Sequence, residues 1–156
     1  MPVERASAGE LAALRGLVCD WADDARATNP LVAAIDRDPE LDRWYIRMHG
    51  EEKAAITVWL TLRERTVHFE SYFMPAPEER VEACYEYLLR ANTRLFAWRF
   101  AIGGEDAVYL VGQLPFGAVD REELDRVIGS AYAYSEQYFP SAMSIGYASK
   151  YRRKSA

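Results

Sequence analysis

The sequence predicts an α+β fold in the order α-βββ-α-ββ-α, an antiparallel sheet with helices packed mainly on one face. Three observations predict it. Apolar residues recur at helical spacing in three separate stretches. Between those stretches, apolar and polar residues alternate with period two in five runs. The runs come in a group of three and a group of two, joined by short turns. They do not alternate one for one with helices, so they pair as antiparallel meanders rather than a parallel sheet.

Ser7 opens the first helix. Its hydroxyl can accept from the backbone three residues on while Glu10 reaches back, as in a capping box. Leu11, Leu14, Leu17, Val18, Trp21 and Ala25 form the apolar stripe, and Asn29-Pro30 ends it. Residues 30–42 read as a connector. A short apolar piece, Leu31 to Ile35, precedes Asp36, Asp38, Glu40 and Asp42. Alternating carboxylates invite a calcium reading, but a loop counted from Asp36 needs Gly and Glu where Leu41 and Arg47 stand. The run reads as a solvated acidic loop.

From Arg43 the period is two. Trp44, Ile46 and Met48 alternate with Tyr45, Arg47 and His49; Ile56, Val58, Leu60 and Leu62 with Thr57, Trp59 and Thr61. Val67, Phe69, Ser71 and Phe73 then alternate with His68, Glu70 and Tyr72. Residues 75–79 start the second helix, with Pro77 in its first turn. Val81, Cys84, Tyr85, Leu88, Asn92 and Leu95 share a face, and Tyr87 lies on its flank. Asn92, near the helix end, has a structural role, satisfying local backbone groups. Trp98, Phe100 and Ile102 mark a fourth strand, Gly103-Gly104-Glu105-Asp106 a turn, and Ala107 to Leu114 a fifth. Asp120 and the acidic residues after it begin the third helix, with a stripe from Leu124 to Tyr138 that Pro140 stops.

The chain has 156 residues, enough for one domain, 1–156, with a core over about 7–147 and a basic, frayed tail at 150–156. Net charge is −5, which argues against a nucleic-acid binder held by phosphate neutralisation. No apolar run reaches the length of a membrane span, and Met1-Pro2-Val3-Glu4-Arg5 lacks a leader's layout, so the expected compartment is the cytoplasm. The two cysteines read as free thiols.

Signatures of catalysis are missing. There is no Gly-rich phosphate loop, no H-E-x-x-H and no G-x-S-x-G. Only two His are present, and His49 and His68 would lie about two strand spacings apart, ~10 Å, too far for one metal. No catalytic residue, metal or cofactor is assigned. An enzyme or small-molecule sensor with a pocket between helices and sheet is the alternative, and Ser135 and Tyr134 are its inward-looking polar candidates.

The sheet face opposite the apolar set is more informative. It collects Tyr45, Arg47, Trp59 and Tyr72, with Arg99 and either Tyr109 or Val111 added from the last two strands. Trp, Tyr and Arg are the residues enriched at binding hot spots. Burying an exposed Trp59 would contribute about 1.5–3 kcal/mol. Tyr45, Arg47, Trp59 and Tyr72 are therefore the candidate partner-binding residues. Structural cover, including a second subunit, competes with a protein or peptide ligand for this face.

Several pieces of residues 44–146 resemble the YbjN-like domain family, described as bacterial sensory transduction regulators. They are Tyr72-Phe73, Leu88-Leu89-Arg90-Ala91-Asn92, Phe100-Ala101-Ile102, Val108-Tyr109-Leu110, and Leu114-Pro115 before Asp120-Arg121-Glu122-Glu123-Leu124. The resemblance covers about two-thirds of the chain, and actinobacterial members are similar over nearly all of it. It implies the fold of type III secretion chaperones, which are usually homodimers that hold extended segments of partner proteins. It therefore implies a non-enzymatic regulatory or chaperone-like role, with Tyr87 as the candidate dimer contact.

Overall fold

The computed structural model describes residues 4–153. Met1-Pro2-Val3 of the stretch read above for a leader, and Lys154-Ser155-Ala156 of the basic tail, lie outside the described residues. Three α-helices, α1 (Ala8–Thr28), α2 (Val81–Ala91) and α3 (Arg121–Gly146), accompany six strands. These are β1 (Val32–Asp38), β2 (Arg43–His49), β3 (Ala55–Leu62), β4 (Thr66–Met74), β5 (Arg99–Ile102) and β6 (Val108–Pro115). The sheet order is β1-β2-β3-β4-β6-β5, and every neighbouring pair is antiparallel. This is the expected α+β architecture with one strand more than α-βββ-α-ββ-α.

The added strand is β1, which corrects the reading of residues 30–42 as a connector. Its ladder to β2 carries an irregularity between Val32 and Ala34, so the two buried residues, Val32 and Ile35, fall three apart instead of two. A bulge of this kind breaks the alternation by which a strand is read. As an edge strand, β1 also tolerates the charges Asp36, Arg37 and Asp38.

The acidic run is more structured than a solvated loop. Asp42 adopts a left-handed backbone (φ 49°), and its carboxylate accepts from Arg15 Nε at 2.9 Å and Nη2 at 2.8 Å and from Arg37 at 3.3 Å. Hydrogen bonding by Arg15 holds the Asp42 carboxyl below its usual range, against the opposing effect of burial. A lowered native pKa contributes stability above the unfolded value, about 3.9, and loses it as pH falls through the native one. Asp42→Asn, which keeps the left-handed tolerance, is expected to cost about 1 kcal/mol at neutral pH, given the pair's partial exposure. That difference should close below about pH 4, as read from urea melts of both proteins.

Helix α1 starts as expected, with the Ser7 hydroxyl accepting from Glu10 N–H at 3.1 Å. Leu14, Val18, Trp21, Ala22 and Ala25 bury its inner face. The indole N–H of Trp21 donates to Asp125 of α3 at 2.8 Å, which ties the two long helices together.

Helix α2 begins at Val81, later than the start expected at 75–79. Arg80 precedes it with a left-handed backbone (φ 45°). That left-handed residue breaks any earlier turn from the helix, and the segment before it caps α3: Glu78 and Glu79 N–H both donate to the carbonyl of Gly146. At its own end, α2 supplies Asn92. Its side chain donates to the carbonyl of Phe100 at 3.2 Å and accepts from Phe100 N–H at 2.7 Å. The backbone groups it satisfies are thus those of β5.

Helix α3 continues past Pro140, which corrects the stop expected there. Pro140 removes one N–H donor. The following turns nevertheless pack Ala142 and Gly146 into the interior, and a Cβ at Gly146 would come within 2.8 Å of Pro77. That burial carries the helix over the missing bond. Lys150 then pairs with Glu78 at 2.7 Å and the Tyr151 ring meets Phe139 edge-on, so the chain is held as far as Tyr151.

The core lies between the helices and one sheet face. Trp44, Ile46, Met48, Ile56, Val58, Leu60, Phe69, Phe73 and Leu110 are all 2% exposed or less. Residues of opposite parity on each strand form the outer face.

Candidate partner-binding face

Strand register sets the outer face as rows. One row crosses all six strands: Asp36, Tyr45, Trp59, Glu70, Val111, Arg99. The next runs Asp38, Arg43, Thr61, His68, Gln113. Antiparallel pairing places such partners about 4.5–5.5 Å apart, so each row is a continuous strip of side chains.

Trp59 occupies the middle. It is 40% exposed, whereas Trp21, Trp44 and Trp98 are at 3% or less. The Tyr45 ring meets it edge-on at 5.4 Å, and the Arg43 guanidinium lies over it at 4.9 Å. Arg43 also donates to the Thr61 hydroxyl at 2.8 Å, which fixes the guanidinium in that position. Tyr72, 46% exposed, stands opposite Tyr109 with the rings edge-on at 5.6 Å. Trp59, Glu70, Tyr72, Tyr109 and Lys53 line a concavity of about 340 Å³.

Of the four expected partner-binding residues, Trp59 and Tyr72 share this concavity. Tyr45 packs on Trp59 from the β2 side, and Arg47 lies exposed on β2 opposite Thr57. Lys53 escaped sequence reasoning because it stood in a turn. Its placement depends on a distant residue: the Glu136 carboxylate of α3 accepts from the backbone N–H groups of Glu51, Glu52 and Lys53 at 2.8–3.0 Å. That clamp folds the β2–β3 loop over the sheet end and sets the Lys53 ammonium between Tyr72 (5.6 Å) and Phe139 (5.4 Å). Burial lowers the Lys53 pKa, with Glu136 opposing. Burial also raises the Tyr72 phenol, helped by Tyr109 and Glu105.

The histidines separate further than expected. His68 stands opposite Thr61 and His49 opposite Ala55, six residues away along β3 and so about 20 Å. Burial, and then Arg63, hold His68 below its ordinary pKa. The polar candidates for an inner pocket also part. Ser135 is buried in α3, while the Tyr134 hydroxyl accepts from Phe96 N–H at 3.0 Å.

A second concavity, about 270 Å³ and almost wholly apolar, lies between α2 and β5, lined by Tyr85, Leu89, Phe100, Ile102 and Val108. Leu89 is 66% exposed and Ile102 56%. Tyr87 turns toward α3, where its ring meets Tyr138 at 6.0 Å.

The profile of the YbjN family, "Putative bacterial sensory transduction regulator", matches residues 15–142. The chain belongs to the YbjN family. Uncharacterized mycobacterial proteins are similar to it. One from Mycobacterium tuberculosis is 32% identical over 109 residues, and one from Mycobacterium leprae 30% over 112. These matches span 70–72% of the chain and only 60–61% of the relatives' own length.

Among solved structures, the YbjN chain is similar to a chain of the ExsC–ExsE complex, with TM-score 0.57 and 16% identity over 82% of this chain and 92% of that one. It is also similar to a chain of the heterodimeric ExoU–SpcU complex from the type III secretion system of Pseudomonas aeruginosa. There the TM-score is 0.52 and the identity 14%, over 78% and 93%. The fold is the type III secretion chaperone-like one expected from the resemblance, and both neighbours were solved in complex with a partner. Among the described residues, no helix is long and apolar enough to cross a membrane.

Proposed function

We propose that this chain is a non-enzymatic, cytoplasmic regulatory or chaperone-like protein that forms a homodimer and binds a partner protein or peptide on the outer face of its sheet. Residues 1–156 act as one binding domain. The observation that carries the reading is the exposed aromatic centre of that face: Trp59 and Tyr72, supported by Tyr45 and flanked by Arg47. Leaving about two-fifths of the Trp59 indole open to water forgoes burial worth roughly 1 kcal/mol, which a ligand recovers. The solved neighbours, both in complexes, support partner binding as the role of the fold. The second copy sits over α2, with Tyr87 as a contact on its α3 side and the apolar groove of Leu89 and Ile102 on its β5 side.

The test is retention of proteins from native cell extract on immobilised wild-type and Trp59→Ala chains. A partner held by the wild type should bind the variant about thirtyfold more weakly or worse, as expected for a hot-spot tryptophan. Equal retention would remove the face from the site. Light scattering at micromolar concentration should give twice the chain mass, and a monomer would overturn the dimer.

A further inference from the structure

The chain holds 24 Asp and Glu against 19 Lys and Arg, so carboxylates are in excess. Elsewhere Arg5, Arg15, Arg26, Arg37, Arg90, Arg121, Arg126 and Lys150 form ion pairs, while Arg63, Arg65, Arg80, Arg94, Arg152 and Arg153 form none among the described residues. On the outer face Arg43, Arg47 and Arg99, with Lys53 at its end, form no ion pair among the described residues. Arg43 is spent on Thr61 and Trp59, Lys53 sits between two rings, and Arg47 and Arg99 point to solvent. Facing them are Asp36 and Asp38 on the edge strand and Glu70 in the centre. Four cations against these three carboxylates leave a small positive excess on the rows of a chain of net charge −5, with Glu136 acting on Lys53 and Glu105 on Tyr72 from the margin.

We infer that the outer face takes an acidic, extended segment of a partner protein. Its carboxylates meet Arg43, Arg47, Lys53 and Arg99, and its apolar side chains lie on Trp59 and Tyr72. This rests on the partner-binding reading above and specifies the ligand. The spacing suits such a segment. Arg47 on β2 and Arg99 on β5 are four strand spacings apart, about 19 Å, the reach of roughly six extended residues. An ammonium partly stripped of water, as Lys53 is, gains from an incoming carboxylate. A nucleic-acid backbone fits less well. Its regular phosphates would run over Glu70 in the middle of the row, whereas a peptide can offer Glu70 a backbone N–H.

The test uses the full chain and two fluorescein-labelled synthetic peptides of twelve residues. One alternates Glu with Phe and Leu; its sister has Lys for every Glu. Anisotropy should show saturable binding of the acidic peptide, weakened by added salt, with the Lys peptide about tenfold weaker or more. Arg47→Glu/Arg99→Glu should weaken the acidic peptide by about tenfold or more, and Arg47→Gln/Arg99→Gln by less. Equal binding of both peptides, still abolished by Trp59→Ala, would overturn the acidic ligand and leave the partner face standing. Binding indifferent to Trp59→Ala would overturn both readings. Failure of the acidic peptide to bind, or its displacement by a thymidine oligonucleotide, would overturn the inference. So would dissociation of the dimer by the Glu double variant, since that places a second copy on this face.

Discussion

Gly112→Ala is expected to destabilise the fold by about 3 kcal/mol or more, the upper range for overpacking, as a fall in the denaturant midpoint or loss of soluble protein. Gly112 lies on β6 opposite Phe69 of β4 and is buried. On its other side the chain enters β5 through Ala97 and Trp98. A Cβ at position 112 would stand 2.1 Å from the carbonyl oxygen of Ala97. The obstacle is backbone, so no rotamer change relieves it. Nor can Ala97 easily move away. It holds a left-handed backbone (φ 65°), and Trp98 next to it is anchored by its indole N–H to the Val127 carbonyl of α3 at 3.0 Å. The Trp98 ring also lies 5.9 Å from Phe69. A methyl group here must displace either the entry to β5 or the β4–β6 ladder. Substitution by Ala at the exposed Gly16, where a Cβ meets nothing within 4 Å, is the control and should be neutral or slightly stabilising.

Phe73→Ala should cost about 3–5 kcal/mol, measured by the same melts. Phe73 is fully buried on β4, and its ring meets Phe100 of β5 at 4.7 Å and Phe139 of α3 at 5.9 Å. It is the junction of a chain of edge-on rings. Phe139 continues to Tyr151, and Phe100 to Tyr138 and from there to Tyr87 on α2. Removing the central ring leaves a cavity touching a helix and two strands. The neighbours are themselves locked by partners, so collapse around the cavity is limited. Phe73→Leu keeps most of the volume and should recover more than half of the loss.

Much of this fold was legible because its signals are local. The Ser7 cap, half of the expected capping box, and the alternation in β2, β3 and β4 need no knowledge of distant residues. Neither do the acidic first turn and stripe of α3. The misreadings share a cause of the opposite kind. The bulge in β1 spaced Val32 and Ile35 like a helix turn, and the strand became visible only through its partner β2. The late start of α2, behind the left-handed Arg80, and the passage of α3 through Pro140, carried by burial of Ala142 and Gly146, both depend on contacts between distant segments that neither helix records in its own sequence. The outer face divides along the same line. Tyr45, Arg47, Trp59 and Tyr72 could be picked out by parity on their strands. Lys53 could not, since a carboxylate 83 residues away folds its loop onto the sheet. Nor could parity show that Arg43 would cover Trp59, because that contact lies between neighbouring strands.

The clasp of Asn92 on Phe100 has a consequence for assembly. A sheet with two open edges can add copies head to tail without limit, which is the route to fibres. Here β5, one of the two edges, is four residues long, and both backbone groups of its Phe100 are already taken by a side-chain amide of the same chain. Edge pairing between copies is left with β1. Two chains joined through β1 would present outward only short β5 edges closed at Phe100, which disfavours further growth by edge pairing.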